Sequence, residues 1–155
     1  MNYQWQTKAF AQLNLNELYA VLHLRQQVFV VEQNCVYLDL DGLDQRATHM
    51  LCWHAGQLLA YQRCLPPGLT YTESSLGRIV TAPTARGQQL GKKLVKKGIS
   101  HNLQQWPQND IRINAQAYLR DFYTGLDFTA QGNEYDYDGI PHLQMLYRCS
   151  EQPDE

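Results

Sequence analysis

No stretch of these 155 residues is apolar for long enough to span a bilayer, and no basic leader precedes an apolar core near the start. Neither a membrane partner nor an export signal is therefore expected, and the expected compartment is the cytoplasm. An excess of positive charge is also missing. Lys and Arg number 13 against 15 Asp and Glu, a formal net charge of −2, which offers nucleic acid no general attraction. The four cysteines, Cys35, Cys52, Cys64 and Cys149, lack the spacing of a disulfide framework, and a reducing compartment keeps them as thiols. Repeats, linkers and low-complexity segments are absent. At 44% hydrophobic the chain can build one sizeable core, so a single domain over 1–150 with a flexible tail at 151–155 is expected.

Alternation of Tyr3, Trp5 and Thr7 with polar residues predicts a first strand. Asn14, followed at the third position by Glu17, marks a helix start, and Leu15, Leu18, Tyr19, Leu22, Val28 and Phe29 at helical spacing carry the helix to about Glu32. Segments 47–54 and 57–65 read as a hairpin around Ala55-Gly56, stopped by Pro66-Pro67-Gly68. Cys52 and His54 share a strand face, but His49 points to the other, so zinc is not expected. Asp39, Asp41 and Asp44 surround Gly42 without EF-hand spacing. They read as a polar turn, or as the cation-attracting wall of a cleft. Further on, a strand is expected at 111–116, a helix at 117–126, a strand from Phe128 and a last one at 143–148. The turn-rich segment 132–142 lies between those last two.

The most informative stretch runs from Leu76 to Leu94. Ile79, Val80 and Thr81 predict a buried strand, Pro83 stops it, and Gly87 and Gly91 flank the opening of an amphipathic helix. Leu90, Leu94, Val95, Gly98, Ile99 and Leu103 form the buried stripe of that helix, which closes at Trp106-Pro107. Its first N–H groups and positive dipole end suit phosphate, and the forked donors of Arg86 suit pyrophosphate better than a lone carboxylate. The same residues also fit a plain strand-to-helix turn.

Arg86-Gly87-Gln88-Gln89-Leu90-Gly91 resembles the acyl-CoA-binding motif of the GNAT superfamily of N-acetyltransferases: Arg or Gln, two residues, Gly, one residue, then Gly or Ala. Gln89 stands at the middle Gly, where a right-handed helical φ is expected to keep its N–H aimed at phosphate. Phe122-Tyr123-Thr124-Gly125-Leu126-Asp127-Phe128 resembles the segment that the superfamily carries beside the acyl-CoA sulfur, with Asp127 at the usual Gly and Gly125 expected to serve the helix end. Segments 24–33, 39–44, 115–123 and 138–142 look like the ElaA-like subfamily, so the resemblance covers nearly the whole chain.

The resemblance implies an α/β (α+β) fold with a central, splayed mixed β-sheet flanked by helices. Acetyl-CoA would be held as cosubstrate where two neighbouring strands part. The implied partner is a small-molecule or peptide amine. No metal is implied, and a homodimer is left open. The backbone of Ile79, Val80 and Thr81 would pair with the pantetheine arm, the Ile79 N–H polarising the thioester carbonyl. Arg86, Gly87, Gln88, Gln89, Leu90, Gly91 and Lys92 would wrap the pyrophosphate, with Lys92 also in reach of the adenosine 3′-phosphate. Gln116 sits where relatives place an Asn that steadies the cofactor. Tyr123 is the expected general acid for the departing thiolate, with a core aromatic as its other reading. Glu32, His142 and Glu134 are the base candidates, or a lowered amine pKa and a water chain replace a base. The implied activity is direct acetyl transfer to an amine in a ternary complex. The alternatives are a non-catalytic CoA-binding or regulatory module, and an acyltransferase with a longer acyl donor, since Arg25, Val28 and Phe29 also resemble acyl-homoserine-lactone synthases.

Overall fold

The computed structural model describes residues 2–149, and the expected tail at 151–155 lies outside them. Seven strands form one sheet in the order β1-β2-β3-β4-β5-β7-β6. The edge strand β1 (Gln4–Ala9) runs antiparallel to β2 (Thr48–His54), and β2 to β3 (Gln57–Leu65). Ala55 and Gly56 both take positive φ, the backbone that a two-residue hairpin turn requires. No helix of the described residues is long and apolar enough to cross a membrane.

Asn14 starts helix α1 (Leu15–Arg25) with a reciprocal cap: its Oδ1 accepts from the Glu17 N–H at 2.8 Å, and Glu17 Oε1 accepts from the Asn14 N–H at 2.9 Å. The rod then widens into a π-helical segment (Gln26–Glu32), so the helix expected to reach Glu32 does so with a change of pitch. Its buried side is the expected one only at its C-terminal end, at Val28 and Phe29. Leu15 and Tyr19 are exposed, and the stripe instead runs through Glu17, Val21, Leu24, Arg25 and Val28. Glu17 can lie inside because Lys8 Nζ donates to both its oxygens, at 3.0 and 2.8 Å, and Arg25 because two aspartates meet it.

Strand β3 is covered on both faces. Tyr61 and Arg63 turn toward α1, while Gln62 turns toward α2 (Leu90–Gln105) and donates to the Leu94 carbonyl at 2.7 Å. A Cβ on Gly98 would fall 2.5 Å from the Gln62 amide, so the missing side chain is what lets α2 approach the sheet. The buried stripe of α2 ends on Asn102, with Leu103 half-buried. Asn102 Nδ2 donates to Ser74 Oγ at 3.2 Å and to the Ser75 carbonyl at 3.0 Å. The lysines off this stripe are exposed, and two of them also meet aromatic faces: Lys93 lies 5.3 Å from the Tyr3 ring and Lys97 4.9 Å from the Trp5 ring.

Strand β4 (Ser74–Thr81) pairs antiparallel with β3 through a bulge. Gly77 faces Arg63 and Val80 faces Tyr61, so Arg78 and Ile79 together oppose Gln62, with Arg78 at φ +49°. On its other side β4 runs parallel to β5 (Ile111–Gln116), but only at Ser74↔Ile111 and Ser75↔Arg112. Beyond Ser75 the strands part, while β5 stays paired with β7 (Ile140–Tyr147) as far as Gln116↔His142. The turn expected over 132–142 is mostly strand: β6 (Thr129–Tyr137) bulges between Gln131 and Tyr135 and folds back tightly at Asp138-Gly139. Turn-forming residues there serve a bulge and a two-residue reversal, both compatible with strand on either side.

The Asp39–Asp44 segment is the polar turn expected, with Asp41 on the cavity wall, but arginines take its carboxylates and leave none for a cation. Fully buried Arg25 donates through Nε to Asp39 Oδ2 and through Nη1 to Asp44 Oδ1, both at 2.8 Å. Arg63 Nη1 donates to Asp44 Oδ1 at 2.8 Å and to Asp41 Oδ1 at 2.9 Å. Arg78 Nη2 donates to the Asp39 carbonyl at 2.7 Å. Burial pushes the Asp44 carboxyl up, but the hydrogen bonds and charges of Arg25 and Arg63 outweigh it and hold the group below the usual carboxylate range. Behind the network, the Tyr61 hydroxyl donates to His49 Nδ1 at 2.6 Å and His49 Nε2 donates to the Asp44 carbonyl at 2.8 Å, so both ring nitrogens are engaged.

Asp44→Asn leaves two buried guanidinium groups short of charge and lowers stability at pH 7 by about 3–5 kcal/mol, measured by urea unfolding. Because the folded carboxyl titrates lower than the unfolded one near 3.9, its stabilisation is complete above that pH. The difference between wild type and variant therefore narrows as pH falls below about 4.

Candidate active site

Where β4 and β5 separate, a cavity of about 700 Å³ opens through the sheet. One wall is β4 from Leu76 to Thr81, the other β5 from Ile113 to Gln116, and Phe122 and Tyr123 close one end. Glu32 borders it from the end of the π-helical segment, Gln33 from the position that caps that segment, and His142 from β7. A second recess, of about 530 Å³, shares Thr81, Arg86, Gly91 and Phe122 with the first and is completed by Gly87, Gln89, Leu90 and Lys92. Ile79, Val80, Thr81, Gln116, Tyr123 and the residues expected around a pyrophosphate thus border one continuous slot, except Gln88, which lines neither recess.

The recess is built by backbone. After the single turn Pro83–Ala85, Gly87 takes φ +82°, and Gln89 caps α2 at φ +61° with no side-chain capping bond. The right-handed φ expected at Gln89 is therefore wrong: the motif position needs the left-handed backbone that glycine adopts freely, and glutamine adopts it here against its preference. No acidic residue occupies the first turn of α2, which leaves the positive end of its dipole beside Arg86 and Lys92. This donor set fits a phosphate-bearing ligand.

The second motif shows the same device. Asp127, not Gly125, takes the left-handed conformation, at φ +73°, whereas Gly125 is right-handed at φ −65°. The Phe128 N–H donates to the Tyr123 carbonyl at 3.1 Å, closing the end of α3 (Arg120–Thr124). Tyr123 is buried, with Phe122 and Phe128 meeting its ring edge-on at 5.1 and 5.7 Å. Its hydroxyl has no hydrogen-bond partner among the described residues, and burial pushes the phenol above its ordinary value, so it stays protonated at neutral pH.

The base candidates differ. Arg86 Nη1 and Nη2 donate to Glu32 Oε2 and Oε1 at 2.6 and 2.7 Å, and this pairing holds the carboxyl below its usual range. His142 Nδ1 donates to the Ile140 carbonyl at 2.8 Å, which leaves Nε2 as the nitrogen able to accept a proton. Glu134 lies exposed on β6 and does not line the cavity.

Several wall residues escaped the sequence reading. Cys35 Sγ donates to the Asp138 carbonyl at 3.3 Å, the Tyr37 hydroxyl donates to Asp39 Oδ1 at 2.9 Å, and Arg63 meets Asp41, which the reading of the aspartates as a cleft wall does anticipate. Between them Val36 and Leu38 are 98% and 85% exposed. The alternation was present in Cys35-Val36-Tyr37-Leu38-Asp39-Leu40-Asp41, with the polar side inward. Arg63 gave no such signal, because it sits in an apolar strand run.

Residues 16–149 match the family model described as an acetyltransferase (GNAT) domain. The protein ElaA of Escherichia coli (strain K12) is 37% identical over 144 residues, 92% of this chain and 94% of its own. Its crystal structure superposes with a TM-score of 0.89 at 35% identity, covering 95% of this chain and 100% of the other. An acyl-CoA N-acyltransferase from Pseudomonas aeruginosa superposes at 0.90 with 40% identity, covering 94% and 99%. An aminoglycoside 6'-N-acetyltransferase complexed with coenzyme A shares the fold alone, at 15% identity and a TM-score of 0.72 over 96% and 99% of the two chains.

Gln89→Gly relieves a left-handed side chain and is expected to raise stability by about 0.5–1 kcal/mol, the relief partly offset by the greater freedom of glycine in the unfolded chain. Thermal unfolding of the variant beside the wild type measures it.

Proposed function

This chain belongs to the GNAT acetyltransferase family, and from that membership we propose that it transfers an acetyl group directly from acetyl-CoA to an amine in a ternary complex. The observation that carries this reading is the parting of β4 from β5 beyond Ser75, which opens a slot running from the N-terminus of α2 to Tyr123. Among the described residues, the edge of β4 that faces β5 pairs with no strand beyond Ser75. Its peptide groups suit an amide-bearing arm as they would suit another strand, and the Ile79 N–H is the donor we assign to the thioester carbonyl.

Acetyl-CoA supplies the activated thioester; the protein's tasks are to orient it and to move two protons. The amine nitrogen forms its bond to the carbonyl carbon, the carbon–sulfur bond breaks, and the leaving sulfur takes the proton of the Tyr123 hydroxyl. The proton lost by the amine passes to His142 Nε2. Glu32 is set aside as the base, because a water-exposed carboxyl, paired with Arg86 or released from it, accepts protons poorly at neutral pH. The reading as a non-catalytic module drew on Gln89 and Asp127; both keep the backbone that glycine would supply, which supports an intact cofactor loop.

Calorimetry with acetyl-CoA, followed by thiol release across a panel of amines, tests the proposal. Binding with no release on any amine favours the module, and absence of binding overturns the reading. Tyr123→Phe loses a hydroxyl that bonds to no residue, so its melting temperature and acetyl-CoA affinity stay near wild type while CoA release slows roughly ten- to a thousandfold. An unchanged rate would remove Tyr123 as the acid.

A further inference from the structure

Arg86 and Gln116, the two side chains expected to hold the cofactor at opposite walls of the slot, are both engaged by neighbours in sequence. Glu32 takes the fork of Arg86 through both oxygens, at 2.6 and 2.7 Å, and Gln33 Oε1 accepts from Gln116 Nε2 at 3.2 Å. Arg86 lies between β4 and α2, and Gln116 ends β5. One helix end is thus fastened to both strands that part.

We propose that Glu32 and Gln33 form a latch that occupies the cofactor's ligands in the resting protein and is displaced when the phosphates of acyl-CoA reach Arg86. The proposal rests on the acyl-CoA reading of the slot. A carboxylate and a phosphate are both bidentate partners of a guanidinium group, so the two compete for the same fork. Phosphate has the advantage. It also meets Lys92 and the uncapped first turn of α2, which border the same recess as Arg86.

The latch is built to give way. Glu32 and Arg86 are both more than two-fifths exposed, at 43% and 42%, so water screens their attraction and can solvate the released carboxylate. Val28 is buried and Phe29 packs partly buried against the core, whereas Val31 and Glu32 are exposed, so the tip of the segment can shift without opening the core. That segment is π-helical, a geometry that recurs at functional sites. Displacement would then couple cofactor binding to the wall of the main cavity, because the same rod carries Val28 and Phe29 into it.

Titration calorimetry with coenzyme A on the wild type, Glu32→Gln, Arg86→Ala and the double variant tests the latch. Removing the competing charge in Glu32→Gln is expected to tighten coenzyme A about two- to fivefold, the range of an exposed ion pair. Arg86→Ala weakens it roughly ten- to a hundredfold, and Glu32→Gln then adds nothing in that background. As a readout independent of affinity, amide exchange across residues 28–35 should speed up when coenzyme A is added to the wild type, and should already be fast in unliganded Glu32→Gln. If the wild type binds coenzyme A and Glu32→Gln binds equally or less tightly, the latch is overturned while the reading of the slot stands. If the wild type binds none, that reading falls and the latch with it.

Discussion

Ser75 is the last residue of β4 to pair with β5, and the position of that last pair governs everything built around it. A parallel pair held only at Ser74 and Ser75 leaves the rest of each strand with an unpaired edge. Such an edge is costly unless something covers it or binds there. Asn102 fixes the point of parting by bonding to both serines from α2, so the helix that presents its N-terminus to the recess also pins the strands where the slot begins. The bulge at Arg78 and Ile79 bends β4 away from the line that further pairing would need.

The wall opposite α2 is fastened by charge rather than by apolar contact. Three arginines from α1, β3 and β4 meet three aspartates of one loop, and each guanidinium makes bonds that a hydrophobic side chain could not direct. Buried ion pairs of this kind add little net stability over well-packed apolar groups, but they punish the loss of any one partner. Their value here lies in direction: the network sets the path of residues 39–44, and alternation from Cys35 to Asp41 then turns Tyr37 and Asp41 toward the cavity.

Among the non-glycine residues that hold positive φ are Arg78, Gln89 and Asp127. Each sits where the chain must reverse or kink within one residue, at a strand bulge, a helix start and a helix end. Keeping side chains at such positions costs about 1–3 kcal/mol apiece, which surrounding packing must offset. Asp tolerates the conformation better than Gln, since its short side chain can bond locally.

By itself, the sequence determined most of the elements and their order. The Asn14 and Glu17 cap, the Ala55-Gly56 hairpin, the strand before Pro83 and the long helix after it all follow from local preferences that tertiary contacts do not override. The two motifs, although each lacks a glycine, also pointed to a slot that does contain Arg86, Gly91, Gln116 and Tyr123. Tertiary structure decided what local spacing cannot encode. Arg25 and Arg63 read as ordinary charged residues until three aspartates distant in the chain neutralise them, and only then can they lie inside. The segment 132–142 read as turn because its glycines and aspartates favour reversals, and only the pairing of β6 with β7 draws both of its ends into strands. The engagement of Arg86 by Glu32 joins a loop to a helix end far away in sequence, so only the folded chain brings that guanidinium and that carboxylate within reach of each other.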